Sequence, residues 1–160
     1  MPEQLVRPSI WIQRDARAAI ERYTSLIPNS RIIGLTTVHD PSGNEIVTGM
    51  FVLAGVEYQL IGGPAPFELN ASFSLAIACD TQVDIDHYWE ALVEGGTPGQ
   101  CGWLVDHWGL SWQVFPKSLP EYLNDPVPER AAAASAAMFG MSKIVLAELA
   151  AAADAATPRG

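Results

Sequence analysis

Two seven-residue segments repeat within this chain, and the repeat limits its fold more than any other feature. Residues 55–61 and 109–115 both run glycine, aliphatic, polar, aromatic, glutamine, aliphatic, hydrophobic. A predicted strand and a predicted helix precede each of them. Self-similarity of this kind is the sequence signature of a duplicated supersecondary unit. The repeat therefore predicts two copies of one module.

The first copy has the pattern of one strand, one helix and three more strands. An apolar run with β-branched and aromatic residues at 9–12 predicts the first strand. Asp15 stands where an N-cap is expected, before apolar residues at helical spacing, and Pro28 ends that helix. Three further strands are predicted at 31–38, 46–54 and 56–61.

The second copy follows the same order. Residues 72–79 alternate apolar and small side chains, which predicts a half-buried strand. Asp80 or Thr81 is expected to cap the next helix, and Gly95 to close it. Two short strands are expected within 98–106, and a last one at 110–115.

These elements predict an α+β fold in which two βαβββ modules form a curved mixed sheet cup, followed by a C-terminal helical tail. We place the domain at residues 8–116, with module one at 8–63 and module two at 71–116. The extension at 126–155 is rich in alanine, the best helix former, and Gly140 is expected to divide it into two helices. Its apolar stripe favours packing on the domain's own core or on a second subunit.

Charge and hydropathy exclude several classes of partner. Lys and Arg number 9 against 18 Asp and Glu, a formal net charge of −9. That field repels phosphate backbones and anionic membrane surfaces, so we expect no nucleic acid and no membrane partner. No apolar stretch is long enough to span a bilayer, and residues 1–4 do not begin a secretory signal. The expected location is the cytoplasm.

Alternation along the last strand of each module predicts a binding site. In both repeats the aromatic and aliphatic residues share one face, and the glutamine, Gln59 or Gln113, lies on the other. Burial of the apolar face under helices is worth ~1.5–3 kcal/mol per large side chain. The glutamines then face the concave side of a twisted sheet, where we expect a small molecule to bind. The predicted lining of this inter-module cup is Trp11, Gln59, Ser74, Trp103, Gln113 and Phe115.

Histidine and cysteine residues favour structural roles. His39 precedes a turn, His87 lies on the second predicted helix, and His107 lies in a tryptophan-flanked loop; His107 is the one to test for acid–base chemistry. Cys79 and Cys101 lack the spacing of a zinc site. Cys101 also lacks the base or positive field that a nucleophilic thiol needs.

Several short runs in this chain are similar to those of one protein family. They are residues 23–30, Gly62-Gly63-Pro64, 87–90, 94–96, Cys101-Gly102-Trp103 and 109–114. Over roughly residues 8–155 the chain resembles the PhnB-like proteins of the vicinal-oxygen-chelate superfamily, which also holds glyoxalase I, extradiol dioxygenases and bleomycin-resistance proteins.

This resemblance implies paired βαβββ modules, a homodimer and, in enzymatic members, a metal ion in the cup. Carried over by position, the ligands fall on Gln59, Gln113, Ser74 and either Pro8 or Ser9. None is a carboxylate or an imidazole, whereas hard cations prefer anionic or strongly donating ligands. We therefore predict no tightly bound metal and no cofactor. Some members carry a methyltransferase label, but no glycine-rich strand–loop–helix for S-adenosylmethionine is present.

Three hypotheses for function stay open. The first is a metal-free protein that binds a small molecule in the cup. The second is a metal-dependent lyase, isomerase or dioxygenase of the same superfamily, with Glu57 or His107 among its ligands. The third is a structural dimer whose own side chains fill the cup. The sequence leaves open which ligand binds and whether any reaction is catalysed.

Overall fold

The computed structural model describes residues 4–156, and the chain divides between Asn70 and Ala71 into two units. Residues 1–3, on which the expectation of no secretory signal partly depends, lie outside the described part. Within residues 4–156 no helix is both long enough and apolar enough to cross a bilayer. Each unit contains one four-stranded mixed sheet.

The first unit is one β-α-β-β-β module. Its strand order is β1-β4-β3-β2, in which β1 pairs parallel with β4 and the other neighbours are antiparallel. This confirms the predicted module. The elements are β1 (Ser9–Ile12), α1 (Ala16–Leu26), β2 (Arg31–His39), β3 (Glu45–Leu53) and β4 (Val56–Gly62).

The second unit repeats this topology. Its strand order, β5-β8-β7-β6, again places the first strand parallel to the last and the rest antiparallel. The shared order confirms the predicted fold class. The elements are β5 (Ser74–Cys79), α2 (Gln82–Val93), β6 (Thr97–Pro98), β7 (Trp103–Val105) and β8 (Ser111–Pro116).

Helix α1 packs through a narrow face of small and large apolar residues. Ala16, Ala19, Ile20 and Tyr23 are buried at helical spacing. At Gly62 the sheet lies so close to the helix that an added Cβ would collide with the Cβ of Ala16. Gly62, which follows the repeated segment and ends β4, is therefore needed for close packing of helix on strand.

The start of α1 differs from the prediction. Asp15 is the N-cap residue, but its backbone is left-handed at φ 50° and its side chain makes no capping hydrogen bond. An N-cap side chain reaches the first-turn amides from extended backbone, and Asp15 does not have that conformation. The predicted position of the cap was right and its predicted capping role was wrong.

Helix α2, by contrast, has a complete capping box. The Asp84 amide donates to Thr81 Oγ1 at 3.2 Å, and the Thr81 amide donates to Asp84 Oδ2 at 3.0 Å. Of the two predicted caps, Thr81 is therefore the one used. Both exchanges satisfy amides that the helix itself leaves without acceptors.

Three helices follow β8, and the two that lie within the predicted extension at 126–155 were expected. The three are α3 (Leu119–Leu123), α4 (Pro128–Gly140) and α5 (Leu146–Ala155). Gly140 ends α4, as expected, and the short α3 was missed. Met141, Ile144 and Leu149 form a buried cluster covered by Leu119, Tyr122, Ala137 and Met138.

The segment between α4 and α5 is hydrogen-bonded to the β-α-β-β-β part of the second unit. The amides of Cys101 and Gly102 donate to the carbonyls of Met141 and Ser142, both at 2.8 Å. The Gln82 side chain donates to the Ile144 carbonyl at 3.1 Å and accepts from the Leu146 amide at 2.9 Å. These hydrogen bonds attach the tail to its own unit, while the buried residues of its apolar stripe pack on α3 and α4. Packing of the stripe on the domain's core or on a second subunit stays a prediction.

Candidate ligand-binding faces of the two sheets

Each sheet has a helix-covered face and an opposite face, which we call the open face. In the first unit Leu60 is fully buried, whereas Gln59 is exposed. Because successive residues of a strand point to opposite faces, Gln59 lies on the open face of its sheet. Ser9 is its neighbour in register on β1, so it shares that face. The predicted direction of this glutamine is confirmed.

Trp11 also lies on the open face of the first sheet, two residues beyond Ser9. Its indole Nε1 donates to the Gly63 carbonyl at 2.9 Å. Its ring meets Phe67 edge to face, with centroids 5.2 Å apart. Phe67 is half exposed and was not predicted as a site residue. The polar atom of Trp11 is thus bonded within its own unit, and only its ring can contact a ligand.

An ion pair lies at the other end of the same face. Glu57, two residues before Gln59, accepts from Arg7 Nε at 2.8 Å. The guanidinium is close enough to balance the carboxylate, and both side chains are about one-third exposed or less. The one carboxylate that the sequence offered as an alternative metal ligand in this strand is therefore already paired.

The second sheet brings four of the predicted site residues onto one open face. Trp103 is the cross-strand neighbour of Gln113, and Phe115 lies two residues further along β8. Ser74 lies two residues before Ala76, the partner of Gln113 on β5. Gln113 Nε2 donates to Ser74 Oγ at 2.9 Å, so the serine fixes the direction of the amide.

Ser111 is a site candidate that the sequence analysis missed. It is the register partner of Ser74, only 1% of its surface is exposed, and it lies two residues before Gln113 on the same face. Its Oγ has no hydrogen-bond partner among residues 4–156. A signal was available, because Ser111 occupies the place in the repeat where the first copy has Glu57.

The registers also decide which positions of the two units correspond. Two residues before the partner of Gln113 is Ser74. In the first unit the partner of Gln59 is Ser9, and the residue two positions before Ser9 is Arg7. The residue that corresponds to Ser74 is therefore Arg7, and not Pro8 or Ser9 as the sequence predicted. The positions that hold an ion pair in the first unit therefore hold two serines, Ser74 and Ser111, in the second.

A buried carboxylate fixes the loop before β8. Asp106 is 4% exposed and accepts from the indole Nε1 of Trp112 at 2.8 Å and from the amides of Trp108 and Leu110 at 2.9 and 3.0 Å. These donors make Asp106 a structural anchor. The neighbouring His107 is exposed, as are His39 and His87.

The surroundings of the Cys79 thiol disfavour its nucleophilic thiolate form. Burial, with the carboxylates of Asp84 and Asp80 nearby, raises the pKa of the Cys79 thiol to about 11. Cys101 is half-buried in a turn with left-handed backbone, φ 57°. Cysteine nucleophiles need an environment that stabilises the thiolate, and the surroundings of Cys79 do the opposite.

The residues at the carried-over positions do not fit a hard divalent cation. Gln113 and Ser74 are neutral and are bonded to each other. On the first sheet Gln59 is neutral, and Arg7 occupies the position that corresponds to Ser74. No group of three or more His, Cys, Asp or Glu side chains in the described part of the chain is arranged to hold a metal.

One groove lies away from both open faces. It has a volume of about 340 Å³ and lies beside the start of α1, on the helix-covered side of the first sheet. Asp15, Arg17 and Glu45 contribute charges to its walls, and Thr37 and Val47 form part of its floor. One guanidinium and two carboxylates give the groove no single charge that would select a ligand.

Comparisons with known proteins agree with this fold. A family model described as 3-demethylubiquinone-9 3-methyltransferase matches residues 4–115. The PhnB protein of Bacillus cereus is 26% identical, with a TM-score of 0.62 over 70% of this chain and 99% of that one. No protein with curated annotation matches the chain.

Two further structures share the fold at lower identity. Protein PA1353 from Pseudomonas aeruginosa has a TM-score of 0.57 at 15% identity, covering 71% of this chain and 97% of its own. The fosfomycin resistance protein FosX from Listeria monocytogenes has a TM-score of 0.50 at 17% identity, covering 77% and 98%. At these identities the likeness concerns the fold alone.

Proposed function

Because the chain belongs to the 3-demethylubiquinone-9 3-methyltransferase family, the PhnB-like group of the vicinal-oxygen-chelate superfamily, we propose that it binds a small molecule without a tightly bound metal ion. The proposed binding surfaces are the open faces of the two sheets, taken separately: Trp11 and Gln59 on the first, and Ser74, Trp103, Gln113 and Phe115 on the second. The protein acts in the cytoplasm as a homodimer. The cup between the modules stays a prediction.

One observation carries this proposal: the Gln113 amide is held by Ser74 on an open face that also presents two aromatic rings. Small-molecule sites combine apolar and aromatic walls with a few oriented polar groups. Trp103 and Phe115 provide the aromatic area and Gln113 the oriented group. A side chain already fixed by a neighbour loses less rotamer freedom when a ligand binds, which favours affinity.

We propose no metal ion because the side chains on the open faces are neutral or already paired with one another. A divalent cation would have to displace the Ser74–Gln113 hydrogen bond and would gain only neutral oxygens in return. On the first sheet it would meet the guanidinium of Arg7 beside Glu57. Hard cations are held by anionic oxygen or imidazole ligands, and neither is placed for that purpose here.

The family's descriptive name refers to methyl transfer, and we do not extend that activity to this chain. The glycine-rich strand–loop–helix that holds adenosyl cofactors is not evident in the sequence. Along the chain, each of the two units instead has its elements in the order β-α-β-β-β. We therefore derive no transfer step.

Two measurements test the proposal. Metal analysis of protein purified without chelators should return far less than one equivalent of zinc, nickel, manganese or iron per chain. A thermal-shift screen against a library of metabolites should yield at least one compound that stabilises the protein, by ~2.7 kcal/mol at one hundred times its dissociation constant. A stoichiometric metal, or no stabilising compound, contradicts the proposal.

Matched variants then locate the site. Gln113→Ala should weaken binding of the compound found in the screen, because the substitution removes the amide held by Ser74. Gln100→Ala is the control, since Gln100 is exposed in the turn before β7. Equal effects of the two substitutions would place the compound elsewhere.

A metal-dependent lyase, isomerase or dioxygenase is the alternative. The observation in its favour is the carboxylate of Glu57 on the open face beside Gln59. It requires Arg7 to release that carboxylate. One equivalent of metal that is lost in Glu57→Gln would support this alternative over the metal-free proposal.

A further inference from the structure

The feature that carries a further inference is the hydroxyl group of Ser111. Its residue is 1% exposed, and its Oγ has no hydrogen-bond partner among the described residues. Burial of a hydroxyl without a partner is unfavourable, and native proteins keep few such groups without a reason. Ser111 lies on the open face that the proposed function assigns to the ligand, which gives a reason for its presence.

The neighbours of Ser111 determine what kind of group it can receive. Ser74 is its partner in register on β5, so the two side chains stand next to each other on one face. The Ser74 oxygen accepts from Gln113 Nε2 and therefore keeps its own hydrogen to donate. Two hydroxyl donors on adjacent strands, roughly 5 Å apart at their Cα atoms, can converge on one acceptor atom.

A carbonyl oxygen matches this arrangement, because it has two lone pairs and carries no charge. An anion would be held here by hydroxyls and an amide without a cation among them, in a chain whose net charge is −9. A cation would find no carboxylate among the three side chains. The corresponding positions of the first unit hold Arg7 and Glu57, which compensate each other, so neutrality is preserved in both units.

We infer that Ser74, Ser111 and Gln113 form a subsite that binds the carbonyl group of a neutral ligand, with Trp103 and Phe115 beside the rest of that molecule. The inference rests on the proposed function and adds the chemical class of the ligand. Ser111 is a binding residue in this scheme, and the fold itself does not depend on its hydroxyl.

Acetophenone, a neutral aromatic ketone, is the probe that tests the subsite. Titration followed by ligand-observed NMR should show saturable binding to the wild-type protein and at least tenfold weaker binding of benzoate, its anionic analogue. Ser111→Ala should raise the dissociation constant of acetophenone about threefold to tenfold, which is the usual effect of losing one neutral hydrogen bond. The same variant should unfold at the wild-type denaturant midpoint or above it, since the hydroxyl has no hydrogen-bond partner among residues 4–156.

Ser142→Ala is the matched control. The Ser142 hydroxyl donates to the Gly99 carbonyl at 2.5 Å, so its removal should lower the denaturant midpoint and leave acetophenone binding unchanged. If Ser111→Ala instead lowers the midpoint as Ser142→Ala does, the Ser111 hydroxyl is structural and the inference is wrong.

The remaining outcomes separate the inference from the proposed function. If acetophenone binds equally to wild type and Ser111→Ala, the carbonyl subsite is refuted while small-molecule binding stands. If benzoate binds as well as acetophenone, the ligand class is wrong. If neither acetophenone nor any library compound binds, the proposed function fails and the inference fails with it.

Discussion

At the scale of single residues, side-chain direction was predictable and side-chain partners were not. Strict alternation along β4 and β8 was enough to place Gln59 and Gln113 opposite the buried Leu60 and Val114. The bond from Gln113 to Ser74 joins side chains 39 residues apart in the chain and depends on the register of β5 against β8. A local pattern carries no information about such a register.

Ser111 illustrates the same limit. The repeat marked it as the counterpart of Glu57, and a serine in a strand is unremarkable in isolation. Its burial without a partner emerges only when the neighbouring strand and the surrounding chain are in place. The residues that carry most information about a ligand can therefore be those with the weakest signal in the sequence.

The two cysteines give a prediction at this scale. Because burial and nearby carboxylates raise the pKa of Cys79 to about 11, its thiol is almost fully protonated at pH 8. Cys101→Ser, which retains Cys79, should react with iodoacetamide at least tenfold more slowly at pH 8 than Cys79→Ser, which retains the half-buried Cys101. Equal rates in the two folded variants would contradict it, and equal rates in denaturant are the control.

At the scale of elements, helices and long strands were predicted well and helix ends less well. The periodic apolar residues of α1 and α2 were sufficient to locate both helices. The backbone of Asp15 is left-handed where that of a cap is usually extended. Residue type alone therefore placed the cap of α1 and could not predict its hydrogen bonds.

The capping box of α2 gives the second prediction. Thr81→Ala removes the hydroxyl that accepts from the Asp84 amide, so the free energy of unfolding should fall by ~1 kcal/mol at pH 7 in urea denaturation. Asp15→Asn is the control: the Asp15 side chain caps nothing, asparagine tolerates the left-handed backbone of this position, and the substitution should change the free energy of unfolding by less than half as much. A larger loss in Asp15→Asn than in Thr81→Ala would show that the assignment of caps is wrong.

At the scale of the whole molecule, acidic groups dominate the charge, and several are stabilised as carboxylates. The Arg130 guanidinium lowers the pKa of Asp125, and Lys143 lowers that of Asp86. Hydrogen bonds from the Asn44 side chain lower the pKa of Asp40, and those from Thr81 lower the pKa of Asp84. In all four the folded state prefers the ionised form more than the unfolded chain does.

These shifts predict the pH dependence of stability. A carboxyl whose folded pKa is depressed contributes stability above its unfolded pKa, about 4, and loses it as the pH falls through the folded value. The free energy of unfolding should therefore be nearly level from pH 7 to 5 and should fall below pH 4. Urea denaturation across this range measures it, and stability that rises between pH 4 and 3 would contradict the prediction.

One variant tests how much of the loss of stability at low pH comes from the ion pair between Asp125 and Arg130. Asp125→Asn removes a carboxylate that Arg130 contacts at 2.9 Å, so the variant should be less stable than wild type at pH 7 and nearly equal to it at pH 3. A difference that persists unchanged at pH 3 would mean that the aspartate stabilises the fold by something other than its charge.

The attachment of the C-terminal extension bears on how this protein can be shortened. The family model matches residues 4–115 of this chain, which makes a stop codon near Pro116 an attractive boundary for expression. That boundary would delete the carbonyls that accept from Cys101 and Gly102 and would uncover the side of α2 against which Gln82 fixes residues 144–146. We therefore expect a chain that ends at Pro116 to be less stable than the full chain, although it contains the whole segment by which the family is recognised.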